Sequence, residues 1–273
     1  MSVVWCNGSI VDALHFQPSE RGLLLGDGIF ETVAVRAGKP VWLADHIERM
    51  KSAALELGLQ FLADRINGAI SSVLQKSQAN SEVLRITLTR GPTARGLAAE
   101  GSNASLLVSL NAFDRAAQPS SVRLATSAIR RNEFAPSSRL KTLSYIDAVA
   151  AAREVSARAD DALMLNTKDH VASTTIGNIF LLNGKMLITP SQDQAILPGI
   201  ARQKLVRNAA ALGLIVEEGA VDVKALHESD CVFVTNSLRL ATPVSSIDDR
   251  LCGTRDIGFI QAYYEHLAKG DTL

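Results

Sequence analysis

The chain has 273 residues, of which 47% are hydrophobic and 21% are charged, and its 28 basic side chains are balanced by 28 acidic ones. This length predicts one large or two smaller domains, each able to bury a core. The even charge balance argues against a protein whose main partner is a nucleic acid or an acidic membrane surface. No stretch of the sequence is long and apolar enough to predict a transmembrane helix.

The N-terminal residues and the cysteines both bear on the cellular compartment. The opening residues MSVVWCNGSIV lack the basic and apolar regions of a secretory signal. Cys6, Cys231 and Cys252 are odd in number and far apart, so they predict neither a disulfide framework nor a zinc site. The histidines also lack the short spacings of metal ligands. We therefore expect a cytoplasmic protein without a metal site.

The first part of the chain alternates strand and helix patterns. An Asn-Gly turn between two apolar runs predicts a hairpin at the start, and apolar residues at helical spacing follow later. The further elements predicted in chain order are a strand at 28–35, helices at 43–59 and 63–77, and strands at 82–91 and 105–113.

A polar segment, DRAAQPSS, contains Pro119 and shows no periodicity, so it predicts a linker. We expect an N-terminal α/β domain at 1–115, a linker at 116–120 and a C-terminal α/β domain at 121–273. The elements predicted in the second domain are strands at 121–129, 161–167, 178–184, 185–190 and 231–236, a helix that begins near Lys141, and helices at 199–214 and 257–270. Mixed sheets with helices predict an α/β or α+β fold.

Lys141 is a candidate reactive amine. Leu140 and Leu143 flank it, and it stands at the start of a predicted helix. The positive end of a helix dipole and apolar neighbours both favour an uncharged amine, which is the form that condenses with a carbonyl group. Most lysines at helix starts are solvated surface groups, so this local pattern alone leaves both interpretations open.

Three loops are candidate anion sites. Pro198 and Gly199 precede a predicted helix whose first amides, at Ile200 and Ala201, suit a phosphate, although such a turn is often only a turn. After the strand CVFVTN, the polar groups that suit a phosphate or a carboxylate are Asn236, Ser237 and Arg239. The loop TRGPTARG contributes Arg90 and Arg95, and arginine binds carboxylates through two parallel hydrogen bonds.

Eight motifs along nearly the whole chain resemble the class IV aminotransferase family. This group of pyridoxal-phosphate enzymes includes branched-chain aminotransferase, D-amino-acid transaminase and 4-amino-4-deoxychorismate lyase. The motifs, in the order of the family, are RGLLLGDGIFET at 21–32, HIERM at 46–50, TRGPTARG at 89–96, RLKTLSY at 139–145, GNIF at 177–180, TP at 189–190, LPGIAR at 197–202 and NSLRLATPV at 236–244. The resemblance implies the two-domain D-amino-acid aminotransferase-like fold, which is fold type IV of these enzymes.

The resemblance also implies roles for individual residues toward the cofactor, pyridoxal 5′-phosphate. Lys141 would hold it as a Schiff base and later move protons as general acid and base. Its phosphate would be bound by the arginine of the HxxR motif together with helix amides and a hydroxyl, namely Arg49, Ile200, Ala201 and Ser237. Tyr145 stands where relatives place a tyrosine near the phenolic oxygen.

Substrate residues follow from the same resemblance. Arg95 matches a family arginine that contacts the substrate carboxylate, often from the neighbouring subunit, so a homodimer is implied. Asn236 and Arg239 are expected to bind substrate as well. Motif position places Phe30 and Leu240 as pocket-lining residues.

Ser173 departs from the family pattern. The strand before the GNIF motif usually has a glutamate that keeps the pyridine nitrogen protonated, whereas this chain has VAS there. A serine only shares a hydrogen bond with that nitrogen, so the ring would be largely neutral and a weaker electron sink. Ser144 is a second departure, since an asparagine is common three residues after the lysine.

The subtype is a choice among the activities of the family. The loops TRGxxxRG and NSLR and the compact chain favour 4-amino-4-deoxychorismate lyase, which makes 4-aminobenzoate and pyruvate. Ser173 agrees with this, because an elimination that is driven by aromatisation needs less electron withdrawal by the cofactor ring. Known lyases generally keep the glutamate, so a branched-chain or D-amino-acid aminotransferase stays open. A third interpretation is a homologue that binds the cofactor with weak catalysis.

Overall fold

The computed structural model describes residues 2–98, 101 and 103–270. These residues divide into two compact units. The first unit is formed from residues within 1–116, 141–144 and 269–273, and the second from residues 117–140 and 145–268. Each unit has its own sheet. The short segment that contains Lys141 therefore packs with the first unit, although most of its sequence neighbours belong to the second.

The first unit is built on an antiparallel sheet. Among the described residues its strands are β1 (Val3–Cys6), β2 (Ser9–Ile10), β3 (Gly28–Arg36), β4 (Lys39–Pro40), β5 (Ser81–Thr89) and β6 (Ser105–Ala112), in the order β2-β1-β6-β5-β3-β4. Its helices are α1 (Arg21–Leu25), α2 (Leu43–Glu56) and α3 (Ala63–Leu74). The hairpin, strands and helices predicted here from sequence are confirmed, and α1 is an element that the sequence patterns did not indicate.

Alternation along the central strands decides which face of this sheet is covered. On β5 the residues Leu84, Ile86 and Leu88 are buried, and the residues between them are half-buried. Both α2 and α3 turn their apolar residues inward, with Met50 and Ile66 almost fully buried. An alternating strand pattern and a helical apolar stripe are what an amphipathic sheet covered by helices requires.

The second unit has a larger, mixed sheet. Its strands in the described part of the chain are β7 (Val122–Arg131), β8 (Asp161–Asn166), β9 (Val171–Thr174), β10 (Asn178–Asn183), β11 (Met186–Pro190), β12 (Ile215–Gly219), β13 (Cys231–Asn236), β14 (Leu240–Ile247) and β15 (Arg250–Leu251). Its α-helices are α4 (Pro136–Arg139), α5 (Ile146–Val155), α6 (Ile200–Asn208), α7 (Val223–Glu228) and α8 (Gly258–Gly270). The strand order is β12-β11-β10-β13-β14-β7-β8-β9, with β15 paired to β14.

The larger sheet closes on itself through β9. This strand pairs with β8 on one side and with β10 on the other, where Ser173 lies opposite Asn178. On the next strand, β13, Thr235 lies opposite Asn178. Directly opposed residues of antiparallel strands point to the same face. Three buried polar side chains therefore form a row across three strands, at the position where the ring of strands closes.

The prediction that a helix begins near Lys141 is wrong. The helix α5 begins only at Ile146, and Lys141 lies in an extended segment. The physical reason is pairing with β3: the amide of Phe30 donates to the carbonyl oxygen of Lys141, and the amide of Leu143 donates to the carbonyl oxygen of Gly28, both at 2.9 Å. Backbone groups engaged across a strand edge are unavailable for helical hydrogen bonds.

None of the helices in the described part of the chain combines the length and the apolar character needed to cross a lipid bilayer.

Candidate active site

The side chain of Lys141 lies on the aromatic ring of Phe30. Its Nζ atom is 4.4 Å from the ring centroid, and the guanidinium carbon of Arg85 is 3.8 Å from the same centroid. A cation is attracted to the negative face of an aromatic ring. The ring itself is buried, so it offers a fixed support for the lysine. The structure thus brings together Phe30 and Lys141, and it adds Arg85, which the sequence motifs did not indicate.

A buried carboxylate lies one residue further along β3. Glu31 is 1% exposed and receives two hydrogen bonds from Arg49, from Nε to Oε1 at 2.8 Å and from Nη2 to Oε2 at 2.6 Å. His46, which is fully buried on α2, places its Nδ1 atom 2.6 Å from the same carboxylate. Two parallel bonds to one carboxylate fix the orientation of a guanidinium group. Arg49 is therefore held by Glu31 and lies one helical turn from His46.

The charges in this cluster are assigned by its surroundings. Burial disfavours ionisation of Glu31, but the charge of Arg49 and the hydrogen bonds from His46 and Arg49 outweigh burial and lower its pKa to about 2. Burial lowers the pKa of His46 below its ordinary value, against the opposing effect of Glu31. At neutral pH the carboxylate is ionised and only accepts hydrogen bonds, so the neutral imidazole has its proton on Nδ1. The cluster is one ion pair supported by a neutral histidine.

Arg90 and Arg95 have different surroundings, although they share one motif. Arg90 donates to Asp27 at 2.8 Å and to the carbonyl oxygens of Leu57 and Gly58 at 2.9 Å, so it fastens the base of the loop. Arg95 is exposed on the loop that follows β5. Of the two arginines, Arg95 is the one whose side chain faces solvent, where a carboxylate has access to it.

In the second unit, the hydroxyl of Ser173 is a buried group in need of a partner. The side chain lies on β9 and is 5% exposed, and its Oγ atom has no hydrogen-bond partner among the residues that the structure describes. A buried hydroxyl without a partner costs about 1–3 kcal/mol. Such a group is suited to a ligand atom that accepts a hydrogen bond.

The start of α6 forms an anion-binding geometry in the same unit. Gly199 caps the helix and allows the side chain of Asn178 to approach closely, since a Cβ atom on Gly199 would lie only 2.1 Å from Asn178 Oδ1. Asn178 Nδ2 in turn donates to the carbonyl oxygen of Leu197 at 2.9 Å. The first amides of a helix have no partner within the helix and carry partial positive charge. The buried residues Ile200 and Ala201 supply these amides.

Two further side chains hold the first turn of α6 in place. Tyr264 of α8 donates its hydroxyl to the carbonyl oxygen of Ala201 at 2.8 Å. Arg202, whose side chain is 2% exposed, donates to the carbonyl oxygen of Pro190 at 2.9 Å and pairs with Glu218. A rigid helix start presents its amides without the loss of freedom that a flexible loop would incur on binding.

The turn after β13 contains Asn236, Ser237 and Arg239. Asn236 Oδ1 accepts hydrogen bonds from the backbone amides of Leu238 and Arg239, at 3.0 and 2.9 Å. This side chain thus shapes the turn, and its role as a substrate ligand stays a prediction. Asn236 and Arg239 line a small pocket with Asp161 and Ile176. Leu240, which follows, is buried with a left-handed φ of 66°.

Tyr145 is the residue at which α5 is capped. It is half-buried and lies near Arg131, whose pKa is lowered by burial and raised in part by Tyr145. Arg131 donates to the carbonyl oxygens of Ala195 and Ser138, both at 2.7 Å. The expected contact of Tyr145 with the cofactor stays a prediction.

Comparison with known proteins identifies the relatives of this chain. The sequence profile of the family Amino-transferase class IV matches residues 28–247. The aminodeoxychorismate lyase of Bacillus subtilis is 28% identical over 257 residues, which cover 90% of this chain and 87% of that protein. A Legionella pneumophila protein provisionally assigned as a 4-amino-4-deoxychorismate lyase has a crystal structure that is 31% identical, with a TM-score of 0.88 over 94% of this chain and 96% of that chain.

A third relative has been solved with a form of the cofactor. This branched-chain amino acid aminotransferase from T.th., in its structure with pyridoxamine 5′-phosphate, is 25% identical to this chain, with a TM-score of 0.86 over 98% of this chain and 94% of that chain. The chain belongs to the class IV aminotransferase family. It is an enzyme of fold type IV, and its cofactor is pyridoxal 5′-phosphate, as the sequence motifs indicated.

The residues present fit this cofactor, unit by unit. The first unit offers a primary amine on a fixed backbone segment and an arginine oriented by a buried carboxylate. The second unit offers an unpartnered hydroxyl at Ser173, suited to the pyridine nitrogen, and the helix start at Gly199, suited to the phosphate. Pyridoxal phosphate has an aldehyde that suits the amine, a pyridine ring that suits the hydroxyl, and a phosphate that suits the arginine and the helix start.

His46 makes the stability of the protein depend on pH. Because its folded pKa is lowered, the unfolded chain binds a proton first as the pH falls below the ordinary value of 6.5. We expect the Tm to fall between pH 7 and pH 5, and to fall less in His46→Gln. The pKa of His227 is also lowered by burial, so His46→Gln should keep a smaller dependence of Tm on pH. His15→Gln, at an exposed position, is the control. Equal slopes in wild type and His46→Gln would contradict the assignment.

Proposed function

We propose that Lys141 is the amine that binds pyridoxal phosphate covalently. The observation that supports this most is its setting: the Nζ atom lies on the Phe30 ring, and two backbone hydrogen bonds to β3 fix the segment. An amine fixed in this way needs little reorganisation before it acts. Released by the amino group of a substrate, it is the base that removes a proton from the carbon next to that amino group.

We propose that Arg49, the amides of Ile200 and Ala201, and Ser237 bind the phosphate. The ion pair with Glu31 orients the Arg49 guanidinium, and the helix start contributes partial positive charge. We further propose that the Ser173 hydroxyl donates to the pyridine nitrogen and that Tyr145 contacts the phenolic oxygen. When bound, the cofactor withdraws electrons from the substrate carbon attached to nitrogen.

For the subtype we propose 4-amino-4-deoxychorismate lyase. A serine donor leaves the pyridine nitrogen largely uncharged, so the ring withdraws electrons less strongly. This favours a reaction that is driven by aromatisation of its product. In this lyase reaction the C4–H and C3–O bonds of the substrate break, the ring becomes aromatic 4-aminobenzoate, and the enolpyruvyl group leaves and gains a proton as pyruvate. The similarity to the two proteins named as lyases supports the same choice.

The substrate of this lyase has two carboxylates, and two arginines are proposed to bind them. Arg95 is exposed on its loop, and Arg239 lines a pocket in the second unit. Guanidinium groups bind carboxylates with two parallel hydrogen bonds. Phe30 and Asn236 are proposed to shape the substrate pocket, the first as the support of Lys141 and the second through its turn.

An aminotransferase acting on branched-chain or D-amino acids is the alternative. The likeness to the branched-chain aminotransferase solved with pyridoxamine 5′-phosphate favours it. So does a Methanocaldococcus jannaschii protein, provisionally named a branched-chain-amino-acid aminotransferase, which is 27% identical over 94% of this chain. The two activities share the proton transfer by Lys141 and differ in what leaves the substrate.

We also propose that the enzyme is a homodimer. The helix α1 exposes three successive leucines, of which Leu23 and Leu24 are 69% and 61% exposed, and Leu97 on the Arg95 loop is 83% exposed. Contiguous exposed apolar side chains are costly in water and are typical of an interface. A dimer that covers them would place Arg95 near the interface.

Lys141→Ala tests the covalent role. Wild type loaded with pyridoxal phosphate should show an absorbance band at a longer wavelength than the absorbance of the protein itself, and the variant should lack this band. We expect activity to fall at least about a hundredfold, because a positioned acid–base group contributes about 10²–10⁴ in rate. Lys51→Ala, at an exposed lysine of α2, is the matched control and should keep both. A band that persists in Lys141→Ala would contradict the proposal.

The subtype is tested by supplying substrates to the loaded enzyme. Incubation with 4-amino-4-deoxychorismate should yield 4-aminobenzoate and pyruvate in equal amounts. D-alanine or leucine with 2-oxoglutarate should exchange amino groups far more slowly. Exchange alone, without 4-aminobenzoate, would establish the aminotransferase instead. Absence of both reactions, with an intact absorbance band, would favour a binding protein with weak catalysis.

Ser173→Glu tests the role of the hydroxyl. A glutamate would pair with a protonated pyridine nitrogen, and a charge-assisted hydrogen bond is worth about 1.5–3 kcal/mol, or about tenfold or more in rate. We expect any aminotransferase rate to rise about tenfold. Ser173→Gln has the same size without the charge and should not raise it. An unchanged rate in Ser173→Glu would mean that this position does not limit the exchange reaction.

A further inference from the structure

We propose that Arg21 is a positioning residue. Its hydrogen bonds to the loop at residues 91–97, here called the clasp, orient Arg95 toward the substrate. This rests on the proposed role of Arg95 as the carboxylate-binding arginine. The proposal comes from the contacts of Arg21 in the first unit, where its side chain is 8% exposed.

Arg21 contacts both ends of the loop. Its backbone amide donates to the carbonyl oxygen of Gly91 at 3.2 Å. Its guanidinium donates from Nη1 to the carbonyl oxygen of Gly96 at 2.8 Å and from Nη2 to that of Leu97 at 2.9 Å. One residue thus joins the residue at which the loop begins to the two residues that directly follow Arg95.

The backbone at Gly96 is shaped for this contact. Its φ is +122°, a conformation that side chains of L-residues rarely adopt, so a glycine is favoured there. At the other end, Gly91 has a φ of +81°, and a Cβ atom there would lie 1.9 Å from the carbonyl oxygen of Asn103. The backbone conformation of the loop is therefore restricted at both ends, and Arg95 lies between these two glycines.

Asp27 supplies the counter-charge for the clasp. Its Oδ2 atom accepts from Arg21 Nε at 2.7 Å and from Arg90 Nε at 2.8 Å. Arg90 continues to the carbonyl oxygens of Leu57 and Gly58. The carboxylate thus fixes two arginines, one that holds the loop and one that holds the chain after α2. Burying a guanidinium without such a partner would be costly.

The geometry requires an arginine at position 21. Its three side-chain hydrogen bonds leave from three different nitrogens, which a planar guanidinium presents in a fixed fork. A lysine has one nitrogen, and it would reach Asp27 or the loop carbonyls but not all three acceptors. Arg21→Lys therefore keeps the charge and removes the clasp.

Hydrogen–deuterium exchange of the cofactor-loaded enzyme tests the clasp. In Arg21→Lys, amides of peptides within 92–98 should exchange up to about thirtyfold faster, since two hydrogen bonds of about 1 kcal/mol each are lost. Peptides from β5 should be unchanged, which separates a local effect from global unfolding. Arg123→Lys is the matched control: Arg123 donates from two guanidinium nitrogens to Asp160, in the second unit. Unchanged exchange at 92–98 in Arg21→Lys would overturn the proposal.

Kinetics test the consequence for substrate binding. With 4-amino-4-deoxychorismate, Arg21→Lys should raise KM about tenfold and change kcat by less than about threefold, because a misoriented Arg95 weakens binding rather than the proton transfer. Faster exchange of the loop with an unchanged KM would overturn the link to Arg95. Exchange needs no substrate, so a wild type without lyase activity would count against the proposed function alone.

A second variant tests the same proposal if Arg21→Lys does not fold. Asp27→Asn keeps the size of the side chain and removes the counter-charge of Arg21 and Arg90. It should loosen the same peptides, 92–98, while the wild-type residue at position 21 is retained. Exchange at wild-type rates in Asp27→Asn would show that the ion pair does not hold the loop, and it would overturn the proposal in the same way.

Discussion

The position of Lys141 depends on a short backbone pairing with the start of β3. Gly28 allows this pairing, because a Cβ atom there would lie 2.7 Å from the carbonyl oxygen of Leu88 and 2.9 Å from Leu143 Cδ1. With the backbone fixed, the Lys141 side chain meets the Phe30 ring, and the neighbouring residue of β3, Glu31, points to the opposite face of the strand. Two successive residues of β3 thus support the amine, through the Phe30 ring, and the ion pair, through the Glu31 carboxylate.

The sequence was informative where one physical signal dominated. Helical spacing over 43–59 predicted α2, because burial of one helix face determines that pattern. The strand at 28–35 was predicted as well, although both faces of β3 are buried. The same reasoning failed at Lys141, where the residues before Ile146 look helical. A tertiary contact, the pairing with β3, overrides the local preference there, and no local pattern reports such a contact.

The candidate site was less predictable than the fold. Lys141 stood out only because several motifs occur in register, since a lysine flanked by leucines is common. Glu31 was missed, yet a signal existed: it occupies a position of β3 whose neighbours on the same face, Ile29 and Val33, are fully buried. A carboxylate in such a register requires a cationic partner, and the HxxR motif supplies one from α2. The contacts of Arg21 with the loop could not be predicted, because those acceptors are backbone carbonyls about 75 residues away.

The buried polar groups of the chain differ in whether the protein itself satisfies them. Glu31 and Asp27 each receive hydrogen bonds from two cationic or neutral donors, so both carboxylates are stabilised before any ligand arrives. The Ser173 side chain is buried, as that of Glu31 is, whereas Asp27 is half-buried, and the Ser173 hydroxyl has no partner among the described residues. The Thr142 hydroxyl is also buried without a partner among the described residues, so the orphaned state alone does not assign a ligand to Ser173. The unpartnered hydroxyl is the observation that supports the proposal that Ser173 donates to the pyridine nitrogen.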